Sequence, residues 1–196
     1  PDGTARGVGP KLVSTLDRAI SFCQSTLAYG RAIEPAPRKS AVLLHGLVNE
    51  VIESAAPEGE ARAKIVNEAP LDLQIYADEE QMFRVFVNLL RNSLDALATG
   101  GPQPGREPMI FVRAHKAGGR AIIEVSDTGP GLAPRAREKL FVAFQGSNRV
   151  GGSGLGLAIA AELVEAHGGT IRLLEEGREG GASFVIELPQ DGASPT

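Results

Sequence analysis

The sequence predicts an α/β protein in which helices cover one face of a β-sheet, a two-layer α/β sandwich. The run 121–126 is apolar at its start and alternates apolar and polar side chains from Ile123, as expected for a strand in a sheet with one covered face. Longer segments with apolar residues at helical spacing lie between such runs, and their apolar stripes would pack on that face. The length of 196 residues and the hydrophobic content of 42% are sufficient for the core of one domain.

Helical and extended segments follow one another along the chain. Helices are expected at 11–33, 41–55, 78–98 and 154–167, with a shorter one near 134–140. Strands are expected near 63–67, 72–76, 108–115, 121–126, 170–175 and 183–188. Gly118-Gly119 and Gly180-Gly181 are the predicted hairpin turns, since glycine accepts the backbone angles that tight turns require.

The segment from Lys11 to Arg31 has the pattern of a long amphipathic helix. Its apolar stripe consists of Leu12, Leu16, Ile20, Cys23 and Leu27. Gly9-Pro10 precedes it, and Glu34-Pro35-Ala36-Pro37 ends it as a stiff linker. Such a stripe requires a partner helix, and packing on the chain's own domain is the alternative.

The predicted helix 78–98 carries two asparagines on its polar face. The apolar face is formed by Met82, Phe86, Leu90, Leu94 and Leu97, and the opposite face by Arg84, Asn88, Asn92 and Asp95. A solvated polar stripe is the simplest interpretation. Asparagine is, however, a mediocre helix former, and its amide oxygen suits Mg²⁺, which takes few protein ligands. Asn92 is therefore the predicted metal ligand.

The strand 121–126 delivers Asp127 to the start of a glycine-rich sequence, DTGPGL (127–132). A carboxylate there can accept a hydrogen bond from an exocyclic amine such as that of adenine. Gly129 and Gly131 have no side chains and let a base or ribose lie close to the backbone. The alternative is that Asp127 forms only an Asx turn.

A second glycine-rich sequence, GGSGLGL (151–157), precedes the predicted helix that ends at His167. Gly154 and Gly156 open this helix, where free backbone amides and the helix dipole favour anions such as phosphate. A flexible loop before a helix is the alternative. The order and spacing of the three motifs favour a nucleotide site.

These motifs resemble the N, G1, F and G2 boxes of the ATP-binding domain of sensor histidine kinases, in a superfamily with gyrase, a heat-shock chaperone and mismatch-repair ATPases. The matching sequences are NLLRNSLDA (88–96), DTGPGL, LFVAF (140–144) and GGSGLGLAIA (151–160), and the similarity runs from about Ala41 to Leu188. The resemblance implies a Bergerat-type fold preceded by a long N-terminal helix. It divides the chain into a tail with a partial dimerisation and phosphotransfer helix and linker (1–37), a catalytic ATP-binding domain (38–190) and a tail (191–196).

The resemblance also implies the residues of the site. Asn88 and Asn92 are the expected catalytic pair beside Mg²⁺ and the phosphates, and Asp127 is the expected adenine-binding aspartate. The segment 134–153 would be the ATP lid, with Phe141 and Phe144 as anchors. Many family members have lysine at the position of Asp95, so Arg149 or Arg91 is expected to supply the phosphate-contacting cation. The nucleotide-contacting residues predicted in this way are Asn92, Asp95, Asp127, Gly129, Gly131, Arg149, Gly152, Gly154, Leu155 and Gly156.

Asn88 separates two chemistries within that superfamily. The hydrolysing ATPases have a glutamate four residues before the metal-binding asparagine, where it activates water. The amide of Asn88 accepts no proton at neutral pH, so attack by water lacks its base. The resemblance therefore implies that the γ-phosphoryl group of Mg-ATP passes to a histidine, whose imidazole has its own lone pair.

The chain's own histidines, His45, His115 and His167, do not have the acceptor pattern of the family, which is His followed by Glu or Asp on an exposed helix. Each is expected to be a packing or capping residue. The phosphoacceptor hairpin of the parent kinase is therefore the expected partner, together with a response-regulator receiver domain and homodimerisation of the full-length parent. The alternatives are an ATPase or serine-directed kinase of the same superfamily, and a non-catalytic docking module with a vestigial ATP site.

The composition narrows the classes of function. A net charge of −4 opposes nucleic-acid binding, and the single Cys23 excludes a disulfide framework and a cysteine-based metal site. No apolar run approaches the ~18 residues of a membrane span, so no membrane contact is expected from this part of the protein. No signal peptide is visible, and a cytoplasmic location is predicted.

Overall fold

The computed structural model describes residues 35–55, 63–132, 137, 139–143, 154–174 and 177–190. Its strands are β1 (Ser40–Leu43), β2 (Lys64–Asn67), β3 (Gln74–Ala77), β4 (Met109–Ala117), β5 (Arg120–Asp127), β6 (Thr170–Leu173) and β7 (Ser183–Pro189). Its described helices are α1 (Leu44–Ala55), α2 (Glu79–Gly100) and α3 (Gly156–Ala166). The predicted helix 11–33 lies outside the described residues.

The main sheet has five strands in the order β2-β4-β5-β7-β6. β2 pairs parallel with β4, and the other neighbours are antiparallel. The β4–β5 hairpin turns at Gly118 and Gly119, whose φ angles of 56° and 72° fit a two-residue hairpin loop and confirm the predicted turn. Gly180, with φ 84°, lies in the connection between β6 and β7. A separate two-stranded sheet joins β1 and β3 antiparallel.

One face of the main sheet is buried beneath the helices. Ile123 and Val125 of β5 and Phe184 of β7 are fully buried, and they belong to the same apolar cluster as Phe86 and Leu90 of α2. α1 and α3 both pack against α2, which contacts β4 and β5. The predicted two-layer α/β sandwich is therefore confirmed. None of the described helices is long and apolar enough to cross a bilayer.

The ends of α2 are defined by capping residues. Asp78 accepts a hydrogen bond from the Gln81 amide at 3.1 Å, and the acidic Glu79 and Glu80 occupy the first turn, where the helix dipole favours negative charge. At the other end, Gly101 has φ 69° and its amide donates to Leu97 O. These caps fix a helix of 22 residues that carries the predicted asparagines.

The predicted helix 41–55 was wrong for its first three residues. Ala41 to Leu43 belong to β1, and the helix begins at Leu44. Pairing with β3 determines this conformation, and such a long-range contact overrides local propensity. The other described boundaries lie within two residues of the predicted ones. Of the short helix expected near 134–140, Arg137 is helical, Lys139 and Leu140 are in a turn, and the rest lies outside the described residues.

Candidate functional site

Asp127 is the last residue of β5, and donors from three parts of the chain hold its carboxylate. The residue is 1% exposed. Ser93 Oγ on α2 donates to Oδ2 at 3.0 Å. The amides of Gly129 and Ala182 donate to Oδ1 at 2.8 Å and 3.2 Å. Together these bonds fix the orientation of the carboxylate where α2, β5 and β7 approach one another.

The bond from the Gly129 amide to Oδ1 is an Asx turn, the alternative interpretation of Asp127. The turn is present, but it accounts for only part of the environment. Ser93 and Ala182 lie 34 and 55 residues away in the sequence. A local turn does not require such distant donors, so Asp127 is also a point at which three elements are joined. Its role in nucleotide recognition stays a prediction.

Glycines allow the backbone to come close to this carboxylate. A methyl group built on Gly181 would lie 2.2 Å from Asp127 Oδ1 and 2.3 Å from Asp127 O. One built on Gly129 would lie 2.8 Å from Oδ1. Gly131 has φ 72°, a conformation that favours glycine. Two of the predicted glycines, Gly129 and Gly131, therefore have a structural requirement, and Gly181 joins them.

Asn88 of α2 meets the first residue of α3. A methyl group built on Gly156 would lie 3.2 Å from Asn88 Oδ1, so the missing side chain lets the two helices approach closely here. Gly154, just before the helix, has φ 67°. The structure thus brings Asn88 together with the start of the second glycine-rich helix, two features that were assigned to one site from the sequence.

Other predicted residues of α2 and α3 differ in their exposure. Asn92 follows Asn88 by one helical turn and is half-buried, whereas Asp95 and Arg91 are exposed. Leu155 is fully buried, so contact with a nucleotide would have to come from its main chain. The structure does not test the predicted roles of these residues.

Part of the predicted lid lies outside the described residues, including Phe144, Arg149 and Gly152. Within the described part, Leu140 is 2% exposed, and the ring of Phe141 packs edge-on against Phe184, with centroids 6.4 Å apart and an interplanar angle of 76°. Phe141 therefore attaches its segment to the sheet, consistent with an anchor.

Three residues that surround Asp127 were not predicted from the sequence motifs, namely Ser93, Gly181 and Ala182. Ser93 is fully buried on the apolar side of α2, between Leu89 and Leu97. A hydroxyl on the buried face of a helix requires a hydrogen-bond partner. A serine among the apolar residues of this face was therefore the sequence signal that could have identified Ser93. Ala182 uses only its backbone amide, so its side chain carries no such signal.

A groove of about 400 Å³ lies elsewhere, lined by Ala41, Gln74, Ile75, Tyr76, Lys116, Gly119 and Gln190. It runs between the β1–β3 sheet and the turn of the β4–β5 hairpin, and none of the predicted site residues lines it. The candidate site is therefore defined by the contacts of Asp127 and by the junction of α2 with α3.

Comparison with known families identifies the class of protein. Residues 77–192, more than half of the chain, match the family described as histidine kinase-, DNA gyrase B-, and HSP90-like ATPase. The matched region contains Asn88, Asp127 and Gly156. The chain belongs to this family, and its relatives identify it as a catalytic ATP-binding domain of the histidine-kinase type.

Several curated sensor proteins are similar to this chain. The C4-dicarboxylate transport sensor protein DctB of Rhizobium meliloti is 39% identical over 61% of this chain and 18% of its own length. The sensor protein KdpD of Escherichia coli is 33% identical over 80% of this chain and 17% of its own length. The sensor protein FixL of Bradyrhizobium diazoefficiens is 33% identical over 92% and 36%. The chain thus spans a small part of each relative.

Solved structures share the fold. Full-length ShkA in complex with AMPPNP has a TM-score of 0.72 and 29% identity, covering 97% of this chain and 40% of ShkA. The nucleotide-free catalytic domain of the histidine kinase ThkA has a TM-score of 0.68 and 24% identity, covering 81% and 99%. ThkA in complex with the response regulator TrrA has a TM-score of 0.73 and 22% identity, covering 98% and 53%. The two ThkA structures support the fold alone.

Proposed function

We propose that this chain binds Mg-ATP and transfers the γ-phosphoryl group to a histidine on another segment. The observation that carries the proposal is the buried carboxylate of Asp127, which Ser93 and Ala182 hold in one orientation. The backbone beside it has no side chains at Gly129 and Gly181. A fixed acceptor of this kind fits the exocyclic amine of adenine. The similarity to ShkA, solved with AMPPNP, supports a ligand of the ATP type.

The donor set on α2 fits a divalent cation that arrives with the nucleotide. Asn88 and Asn92 offer neutral amide oxygens one helical turn apart. Among the described residues, no group of three or more His, Cys, Asp or Glu side chains is arranged to hold a metal. Mg²⁺ takes few protein ligands and completes its shell with phosphate oxygens and water, and when bound it would neutralise phosphate charge. We propose Asn92 as the protein ligand.

The start of α3 is the proposed phosphate site. Gly154 and Gly156 leave the first amides of the helix accessible to an anion, and the helix dipole favours negative charge there. Gly152 and the main chain of Leu155 would extend this site, and Arg149 or Arg91 would supply the cation that Asp95 does not. Because Asn88 lies against Gly156, the proposed metal and phosphate sites are adjacent.

The proposed reaction is a direct displacement at phosphorus. A nitrogen lone pair of the acceptor imidazole attacks the γ-phosphorus, an N–P bond forms, the P–O bond to the β-phosphate breaks, and ADP leaves. The chain positions the nucleotide and surrounds the transferring group with donors. Asn88 provides no base for water, so hydrolysis is disfavoured against the superfamily alternative of an ATPase.

The partners follow from the same proposal. The acceptor histidine would lie on the phosphoacceptor hairpin of the parent kinase, which would act as a homodimer in the cytoplasm and pass the phosphoryl group to a receiver domain. The ThkA neighbour, solved with the response regulator TrrA, supports a partner of that class. Residues 38–190 are proposed as the catalytic unit, and residues 1–37 as a tail with one helix of the dimerisation and phosphotransfer hairpin and the linker that follows it.

Calorimetric titration of the chain with ATP, with and without Mg²⁺, tests this function. We expect saturable binding that tightens with Mg²⁺ and production of no ADP by the chain alone. Failure to bind ATP under either condition would support the vestigial docking module instead. Steady production of ADP would support the ATPase.

A further inference from the structure

Arg113 of β4 and Glu179, which precedes β7, form a charge pair on the sheet face opposite the helices. Their side chains are 20% and 17% exposed, and Arg113 Nη2 lies 2.9 Å from Glu179 Oε1. Arg106 adds a second contact to Glu179 at 3.2 Å. This pair is more buried than the Arg172–Glu187 pair on the same sheet, whose side chains are 55% and 28% exposed.

Arg113 is itself held in place from several sides. Its Nε donates to Glu68 Oε2, its Nη1 donates to Ser126 Oγ at 3.3 Å, and its guanidinium lies 4.4 Å from the ring centre of Phe111. Burial would lower the pKa of Arg113, but the hydrogen bonds to Glu68 and Glu179 outweigh it and raise the pKa. Arg113 is therefore a cation in a fixed position, and it can hold Glu179 through an ion pair.

The turn that contains Glu179 reaches Asp127 within three residues. The Gly181 amide donates to Asp127 O at 3.1 Å, and the Ala182 amide donates to Asp127 Oδ1 at 3.2 Å. Gln103 Nε2 also donates to Gly180 O at 3.2 Å. Because Gly181 approaches the carboxylate more closely than any side chain would allow, a small shift of this turn would rotate the carboxylate or break its bonds.

We propose that Glu179 and Arg113 are positioning residues for nucleotide selectivity. Their charge pair holds the turn 177–182 at the depth at which the amides of Gly181 and Ala182 orient the Asp127 carboxylate. The inference rests on the proposed function of Asp127 as the group that reads adenine. The pair lies on the opposite face of the sheet and does not contact the nucleotide. It affects recognition of the base only through the turn and the carboxylate.

Glu179→Gln in the full chain tests the inference. The variant keeps the size of the side chain and removes its charge, while Glu68 still compensates Arg113, so the fold is expected to persist. The Kd for ATP should rise about threefold to tenfold, the range for an ordinary hydrogen bond, because Glu179 acts on the carboxylate only through the turn, while the Kd for GTP should not change. Arg113→Lys, which keeps the charge but loses the planar fork, should act in the same direction.

Glu187→Gln is the matched control, because it removes a similar charge from β7 at a distance from Asp127. Its ratio of ATP to GTP affinity should equal that of the unmodified chain. Equal loss of ATP and GTP affinity in Glu179→Gln, or an unchanged ATP Kd, would overturn the inference while leaving the proposed function intact.

Hydrogen exchange at the amides of Gly181 and Ala182 gives a second readout that requires no nucleotide. Both amides should exchange faster in Glu179→Gln and not in Glu187→Gln. If the unmodified chain did not bind ATP, the proposed function would be wrong. The exchange rates would still show whether Glu179 holds the turn 177–182 in place. Unchanged exchange rates of the Gly181 and Ala182 amides in Glu179→Gln would show that the contact between Glu179 and Arg113 does not hold the turn.

Discussion

At the scale of single residues, the Asp127 carboxylate can be neutralised without disturbing its neighbours. In Asp127→Asn, the amide oxygen would still accept from Gly129 and Ala182, and the amide nitrogen would donate to Ser93 Oγ. An incoming adenine amine would then meet a donor or a weaker acceptor. We expect ATP binding to lose ~1.5–3 kcal/mol, as for a hydrogen bond to a charged group, measured by calorimetry.

The exposed Asp72, in the turn before β3, provides the control for this substitution. Asp72→Asn should bind ATP as the unmodified chain does. GTP carries no exocyclic amine at the corresponding ring position, so its affinity should change little in Asp127→Asn. Equal losses for ATP and GTP would mean that Asp127 has a structural role and does not read the base.

Asn92 offers a test of the metal proposal. Asn92→Ala removes the amide oxygen from a half-buried position on α2 and retains good helix propensity, so the helix should persist. The tightening of ATP binding by Mg²⁺ should fall by about tenfold or more, the scale of one charge-assisted contact. Titrations at several Mg²⁺ concentrations would measure this change.

Thr99→Ala serves as the control, since Thr99 is exposed on the last turn of the same helix. Its Mg²⁺ dependence should equal that of the unmodified chain. A folded Asn92→Ala protein with undiminished Mg²⁺ dependence would remove Asn92 from the metal site.

The positions of the predicted residues, though not their chemical roles, can be compared with the structure. The meeting of Asn88 with Gly156 follows from two motifs whose spacing is visible in the sequence. The contacts of Asp127 with Ser93 and Ala182 cross 34 and 55 residues, and one of them uses a backbone amide that any residue could supply. The side chains in the sequence therefore indicated Asp127 as a hydrogen-bond acceptor. They did not indicate Ser93 and Ala182 as its donors.

At the scale of elements, periodicity predicted most helices and strands, and pairing corrected the rest. The first halves of β4 and β5 alternate partly buried and buried residues, and their hairpin turn is fixed by two glycines. β1 was missed because its four residues are extended only in combination with β3. The parallel pairing of β2 with β4 joins segments separated by α2, and no local pattern specifies it.

The linker before β1, the start of α2 and the end of α3 meet at His167. Its Nε2 accepts from the Asp78 amide at 3.0 Å, and its Nδ1 lies 2.7 Å from Leu163 O, so both bonds require the neutral tautomer with hydrogen on Nδ1. Lys39 Nζ donates to His167 O at 3.0 Å. The prediction of a packing or capping histidine is confirmed, and the residue also joins three elements.

This junction predicts a loss of stability in mild acid. Burial, and also the charge of Lys39, lower the pKa of His167 from its ordinary value of 6.5, although the Leu163 bond and the charge of Asp78 oppose the shift. The unfolded chain therefore binds a proton first as the pH falls. The contribution of His167 to stability is complete above pH 6.5 and declines below it.

Urea unfolding at about pH 7.5 and about pH 5.5 would measure this decline. His167→Gln should be less stable at the higher pH and should lose less stability between the two. The exposed His115 is the control, and His115→Gln should keep the full pH dependence. The same pH dependence in His167→Gln and in the unmodified chain would assign the decline to other groups.

At the scale of the whole molecule, α2 connects the proposed adenine and phosphate sites. Its buried face holds Asp127 through Ser93, and its polar face places Asn88 against Gly156. One continuous helix thus sets the distance between the carboxylate proposed to read the base and the start of α3. We expect this arrangement to position a nucleotide for phosphoryl transfer, whereas none of the histidines in the sequence has the acceptor pattern of the family.

Incubated alone with Mg-ATP, the chain is therefore expected to acquire no stable phosphoryl group. Both ring nitrogens of the buried His167 are hydrogen-bonded, and Nδ1 of His45 is bonded to Ala69 O at 2.8 Å. His115 lies exposed on β4, without the Glu or Asp neighbour of the family's acceptor. When the phosphoacceptor hairpin of the parent kinase is added, the chain should phosphorylate it. The catalytic part would position the γ-phosphoryl group and stabilise the charge that develops during its transfer. Intact-mass spectrometry distinguishes these outcomes, and stoichiometric phosphorylation of the isolated chain at one of its own histidines would show that acceptor and catalyst are not separate.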